Sequence, residues 1–323
     1  MDRRLGGTGL ALALLSAATF GTSGTFATSL IDAGWTPGAA VTARVTAAAL
    51  MLTVPAVLQL RRRWRVLRHS LGIVSRYGLV AVAGCQVCFF NAVEHVSVGV
   101  ALLLEYLGIV LVVLWQWVRH SQRPRRLTVA GAVSALAGLA LVLDLTGSQH
   151  IDPIGVLWGL GAAAGLAVYF VLSATAAEPL PPIVMAWSSM TIGALALLGL
   201  GAVGVLPMSA NANDVRFLHH QTSWLVPVIG LSLIAAVIAY VSGIGAARVL
   251  GAKVASFIGL TEVLFAVVFA WLLLGQLPAV VQGVGGVFIV AGVTLVRIDE
   301  LRNGAAPAES RSQPAPQESP ARR

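Results

Sequence analysis

"LLLEYLGIVLVVLW", residues 102–115, is an apolar run with one acid, Glu105, near its middle. A carboxylate in hydrocarbon is costly, so this residue has either a structural partner or a job. The rest of the chain says which solvent surrounds it. Of 323 residues, 57% are hydrophobic and 11% are charged, against about 25% charged in a soluble domain. Working outward from residue 102, apolar stretches of roughly 18–25 residues recur, each long enough to cross about 30 Å of hydrocarbon as a helix. They predict ten spans, near 8–29, 37–60, 76–94, 97–118, 127–145, 154–176, 182–206, 223–247, 253–275 and 279–297. The expected fold class is therefore an all-α integral membrane protein with ten transmembrane helices. The basic, apolar start "MDRRLGGTGLALALLSAATFG" is read as a retained first helix rather than a cleaved signal peptide.

The formal charge of +8 would suit a nucleic-acid partner, but its distribution excludes that reading. Arg61, Arg62, Arg63, Arg65, Arg68 and Arg76 fall between spans two and three, and Arg119, Arg123, Arg125 and Arg126 between spans four and five. Arg3, Arg4, Arg248, Lys253, Arg297 and Arg302 fall on the same side, leaving Arg216 on the other. Cytoplasmic loops retain Lys and Arg, so both termini are expected in the cytoplasm, with the chain in the cell membrane and its arginines against lipid head groups. The eight tryptophans fall near span ends and suggest an aromatic belt at both interfaces.

A weak internal repeat runs through the chain. "TPGAAVTARVTAAALML" (36–52) and "PPIVMAWSSMTIGALAL" (181–197) both enter a helix behind proline, at Pro37 and Pro182. "GLTEVLFAVVFAWLL" places Glu262 where the opening stretch has Glu105. Five spans per copy is an odd number, so the copies are expected as inverted-topology repeats, residues 1–147 and 148–300. The segment 301–323 is rich in Pro, Ala, Ser and Gln and is expected to be a disordered cytoplasmic tail.

Arg44, Glu105 and Glu262 are the ionisable residues deep within spans, each roughly 10–13 Å from a helix end. They are the candidate site: Arg44 attracts a substrate carboxylate or pairs with Glu105, while the glutamates bind an amino group or carry a proton. Their structural alternative is a buried Arg44–Glu105 pair that fixes packing. Cys85 and Cys88 share a helix face as "CQVC"; with no second Cys or His pair in a span, helix packing is favoured over metal or redox chemistry. The loop "PMSANANDVRFLHHQTS" (207–223) offers Asp214, His219 and His220 to a membrane enzyme or sensor, against the plainer reading of a wet loop. Small-residue faces at 130–140, 159–167 and 282–292 suggest close helix contacts or a homodimer surface. No nucleotide-binding motif is present, no cofactor or metal is expected, and the chain reads as a non-enzyme.

"FFNAVEHVSVGVALLLEYLGIVLVVLW" (89–115) and "GAARVLGAKVASFIGLTEVLFAVVFAWLLLGQ" (245–276), in this topology, resemble the drug/metabolite transporter superfamily, EamA type. The context of Glu105 looks most like the threonine/homoserine exporter branch. The resemblance covers nearly the whole chain to about residue 297 and implies ATP-independent, usually outward movement of a small metabolite by alternating access. The implied substrates are amino acids or related solutes, with proton exchange a further expectation because apolar surroundings disfavour an ionised carboxylate. Export of hydrophobic drugs or natural products is the rival within transport. Three positions depart from the family pattern: Ile109 and Val263 stand where relatives carry proline, and Gln276 where they carry glutamate. Without those prolines, spans four and nine are expected to be straighter.

Overall fold

A computed structural model describes residues 3–61, 64–121, 123–145, 152–175, 180–218 and 220–304. Arg62, Arg63, His219 and the tail from 305 lie outside the described residues. The chain is an all-α membrane protein. By length and apolarity, 8 helical stretches can cross a bilayer, and Arg126–Val142 and Thr261–Leu273 are shorter apolar helices. One of the long stretches, Leu225–Gly259, is interrupted: Gly251 has φ 79° and ψ 161°.

In chain order the helices are α1 (Arg3–Gly21), α2 (Ser23–Asp32), α3 (Pro37–Leu60), α4 (Trp64–His69) and α5 (Leu71–Arg76). A π-helical turn, Tyr77–Gly84, leads into α6 (Cys85–His95), α7 (Val98–Tyr106), α8 (Gly108–His120), α9 (Arg126–Val142), α10 (Pro153–Thr175) and α11 (Pro182–Ala202). After a short antiparallel hairpin of β1 (Val215–Phe217) and β2 (His220–Thr222) come α12 (Leu225–Ser232), a second π-helical turn (Leu233–Ile238), α13 (Ala239–Gly259), α14 (Thr261–Leu274) and α15 (Val280–Gly304).

Several local features occur twice at corresponding places. Pro37 and Pro182 each occupy the first turn of a helix, where a missing N–H costs nothing. The two π-helical turns fall in the predicted third and eighth spans. Leu107 and Leu260 each break a helix beside a glutamate. Helix neighbours follow the same pattern: α1 packs on α13 as α10 packs on α6, while α3 pairs with α11 and α9 with α15.

The small-residue faces are consumed inside one chain. A Cβ added at Gly131 would come within 2.7 Å of the Gly292 carbonyl, and one at Gly138 within 2.5 Å of the Gly285 carbonyl. These approaches bring α9 and α15 together backbone to backbone, which is the close helix contact expected from the stripes at 130–140 and 282–292. On α10, Gly161 faces Cys88 and Gly165 faces Cys85, at 2.8 and 2.6 Å from an added Cβ. The aromatic belt also needs trimming. Trp64, Trp115, Trp117, Trp158 and Trp271 are exposed. Trp35 is buried beside Trp224, and Trp187 donates to Thr53 Oγ1 at 3.0 Å, so those two serve packing.

Two ends of the bundle can be told apart by their contacts. At the hairpin end, Trp35 Nε1 donates to the Asn211 carbonyl at 2.9 Å and His95 meets Asp152 at 3.1 Å. At the opposite end, Arg248 donates to the Leu180 carbonyl at 2.6 Å and Lys253 pairs with Glu300 at 2.6 Å.

Candidate functional site

Arg44 of α3, Glu105 of α7 and Glu262 of α14 line one cavity of about 230 Å³ in the middle of the bundle. All three are half-buried, their remaining surface turned to that void. Ser16, Phe20, Ser23, Cys85, Gln86, Tyr106, Tyr169, Phe170 and Tyr240 complete most of the wall.

Arg44 is held from several sides. Its Nη2 donates to the Ala235 carbonyl at 2.5 Å and its Nη1 to Ser23 Oγ at 3.3 Å. The guanidinium also lies over the Phe20 ring, 5.6 Å from its centroid. Ala235 sits in the second π-helical turn, where the wider hydrogen-bond pattern leaves a carbonyl available to a side chain. Among the described residues Arg44 forms no ion pair with either glutamate, and its Nε has no protein partner. The buried Arg44–Glu105 pair weighed from the sequence is absent from this arrangement, so neither acid neutralises the guanidinium.

Glu105 accepts a hydrogen bond from the Cys85 thiol, at 3.4 Å. The "CQVC" pair therefore packs against the α10 glycines and also supplies one weak donor to the cavity. Among the described residues no group of three or more His, Cys, Asp or Glu is placed to hold a metal. Glu262 shares the cavity wall with Tyr106, Glu105 and Arg44.

Both acids sit at helix breaks that need no proline. Leu107 (φ −59°, ψ −15°) follows α7, and its N–H bonds the Leu104 carbonyl three residues back at 3.0 Å. Leu260 (φ −57°, ψ −24°) repeats the arrangement with Phe257 at 3.2 Å. The straighter helices expected from Ile109 and Val263 are thus overturned. Beside each break lies a glycine pressed on α10. A Cβ on Gly108 would sit 2.6 Å from the Ala163 carbonyl, and one on Gly259 would sit 3.0 Å from Phe170 Cζ. Close packing at these glycines accompanies each tightened turn, where a proline would have removed a donor.

A second void of about 800 Å³ continues toward the hairpin end, with Thr25, Thr28, Val98, Gln276 and Gln282 in its walls. Phe20, Ser23, Phe89, Leu102, Tyr106 and Glu262 line both voids and form the neck between them. Toward the opposite end lies solid packing around Tyr77, Met185 and Ile244.

Sequence reading missed the tyrosines. The chain has 4; Tyr106, Tyr169 and Tyr240 line the cavity, and Tyr77 packs on Tyr169 with centroids 5.7 Å apart. The signal was available: a tyrosine far from a membrane interface needs a polar neighbour or a wet wall.

Among the described residues, the loop 207–223 does not gather its ionisable groups. The hairpin pairs Val215 with Thr222 and Phe217 with His220. Asp214 lies just before the first of these pairs and His220 in the last, roughly 10 Å apart along the ladder. Both are exposed, and His219 lies outside the described residues.

Comparison with known proteins adds independent findings. The EamA-like transporter family matches residues 7–144 and again 153–298. An uncharacterized transporter of Archaeoglobus fulgidus is 28% identical over 235 residues, 67% of this chain and 74% of that protein. The uncharacterized transporter YwfM of Bacillus subtilis is 33% identical over 105 residues, 32% of this chain and 35% of YwfM. The threonine/homoserine exporter RhtA of Salmonella typhimurium is 32% identical over 128 residues, 39% of this chain. Only 41% of RhtA's length is spanned by that match. A solved crystal structure with 20% sequence identity superposes with a TM-score of 0.74, covering 93% of this chain and 99% of the other, which establishes likeness of fold.

Proposed function

The chain belongs to the EamA-like transporter family, and from that premise we propose that it exports a small zwitterionic metabolite of the amino-acid type. The observation that carries this reading is the convergence of Arg44, Glu105 and Glu262 on one cavity without an ion pair between the cation and the acids. The solute's carboxylate docks on the Arg44 guanidinium, and its ammonium lies toward the glutamates. With one guanidinium and two carboxylates in the wall, a proton accompanies the solute or returns in exchange for it. The similarity to RhtA, a threonine/homoserine exporter, supports both the substrate class and the direction.

Transport proceeds by alternating access across ten spans in two inverted five-helix repeats, residues 1–147 and 148–300. The paired prolines, π-helical turns and helix breaks support that arrangement. Counting spans eight and nine on either side of Gly251 gives the tenth crossing. Both termini face the cytoplasm, a reading supported by the arginines clustered between α3 and α5 and between α8 and α9.

The cavity favours a small polar solute over an apolar drug. Three charged groups line it, and each would stay desolvated and unpaired against an apolar ligand. An enzymatic site on loop 207–223 is disfavoured by the separation of Asp214 from His220.

The test compares intracellular and medium metabolites in cells overexpressing wild type or Glu105→Gln at equal membrane levels. Accumulation of a few amino acids outside with wild type alone is the expected result. Equal release by the two proteins would remove Glu105 from the site, and resistance to bulky apolar drugs without amino-acid release would favour the rival substrate class.

A further inference from the structure

The two glutamates occupy different places along the void. Glu105 and Arg44 line the inner cavity only, whereas Glu262 lines both the cavity and the vestibule. Tyr106 shares that double position. The rest of the neck is mostly apolar: Phe20, Phe89 and Leu102, with Ser23 alongside. Beyond it, among the described residues, the vestibule offers only neutral polar groups, among them Thr25, Thr28 and Gln276. Ser23 follows the α1–α2 interruption, Tyr106 precedes the break at Leu107, and Glu262 follows the one at Leu260.

We propose that Glu262 and Tyr106 form a second, outer subsite for the solute's ammonium, at the neck between cavity and vestibule, separate from the inner subsite of Arg44 and Glu105. The proposal rests on the zwitterion reading above. An ammonium leaving Glu105 for the vestibule crosses an apolar ring, and without a counter-charge there it sheds water with nothing in return. One carboxylate in the ring lowers that barrier, and the Tyr106 hydroxyl adds a polar group to the same ring. A group that acts at the constriction changes the rate of passage more than the depth of the inner site, as in channels with several weak sites in series. The two acids then have distinct phenotypes: Glu105 sets affinity and Glu262 sets the rate of release.

The experiment uses the full chain in proteoliposomes with L-threonine as probe, measuring equilibrium binding and counterflow exchange for wild type, E105Q, E262Q and Y106F. Each variant is first checked for wild-type thermal stability. E105Q is expected to weaken binding roughly tenfold or more, with exchange falling in parallel. E262Q is expected to keep the Kd within about threefold while exchange falls roughly tenfold, and Y106F to show a smaller loss of the same kind. A Kd raised as much by E262Q as by E105Q would make the glutamates one site and overturn the proposal, as would unchanged exchange in E262Q.

A second arm needs no substrate. In a C85S, C88S background carrying E105C, the labelling rates of a cationic and a neutral methanethiosulfonate are compared. Adding E262Q should lower the cationic-to-neutral ratio roughly tenfold, and an unchanged ratio overturns the outer subsite. If wild type neither binds nor exchanges a zwitterion yet the ratio falls, the functional reading fails while the cation subsite stands.

Discussion

The interface of α9 with α15 and the wall of the central cavity are built from the same small residues and end up opposite in character. At the first, Gly131, Gly138, Gly285 and Gly292 let two helices meet at backbone distance. At the second, Ala13, Ala17, Ala81, Gly243, Ala246, Ala255 and Gly259 surround a void. Aromatic rings mark the difference. Phe20 meets Tyr240 at 5.2 Å, Tyr240 meets Tyr169 at 5.5 Å, and Tyr169 meets Phe170 at 4.8 Å between ring centroids. These rings fill the space beside the small residues without separating the helices, since α1 still packs on α13 and Ser16 Oγ donates to the Ala239 carbonyl at 2.8 Å. A stripe of glycine and alanine therefore permits closeness without by itself deciding whether a void lies beside it.

The largest expected effect attacks the closed side of this contrast. Gly138→Leu would drive its side chain into the Gly285 carbonyl and the Ile289 amide, at 2.5 and 2.7 Å from the first added carbon. Backbone atoms cannot step aside, so the variant should give almost no monodisperse protein on size exclusion in detergent. A wild-type profile would mean that α9 and α15 are not backbone-close. On the open side, Arg44→Gln should weaken L-threonine binding by roughly 10–100-fold, the worth of a hydrogen bond to a charged group. Arg44→Lys should recover only part of that affinity, because a point charge cannot span Ser23, the Ala235 carbonyl and the Phe20 ring together. Equal affinity for Lys and Arg would reduce the position to simple charge.

Removing a ring tests the void itself. Phe170→Ala should enlarge the pocket and shift the leucine-to-threonine exchange ratio by roughly tenfold in favour of leucine; an unchanged ratio would show that the walls collapse. The smallest effect comes from two glycines on one helix. Gly283 has open space where a Cβ would stand, while Gly285 faces Gly138. Gly283→Ala should raise thermal stability by about 0.5–1 kcal/mol of helix propensity, and Gly285→Ala should lower it. The same sign for both would break the distinction between closed and open faces.

Composition and apolar length made the membrane class legible, because hydrocarbon thickness dictates how long a helix must be. The convergence of Arg44, Glu105 and Glu262 was foreshadowed by their depth, since buried charge is rarely idle. What stayed hidden depended on neighbours distant in sequence. Cys85 was read as packing, and its bond to Glu105 depends on the register of α6 against α7. The breaks at Leu107 and Leu260 carry no proline signal and coincide with glycines on α10's flank. The stripes at 130–140 and 282–292 announce close helix contacts, but which helix meets which depends on the packing of the whole bundle.

Gly251 gives the chain an elbow in place of a loop. The Ala235 carbonyl that grips Arg44 lies on one arm and Glu262 on the other, joined through a single left-handed residue and the short piece up to Leu260. A glycine is the most permissive of residues, so this joint is a hinge one residue long. The group that positions the cation and the outer glutamate therefore sit on opposite sides of one bend. Inserting a few flexible residues at Gly251 should loosen that relation even if every side chain in the cavity stays in place.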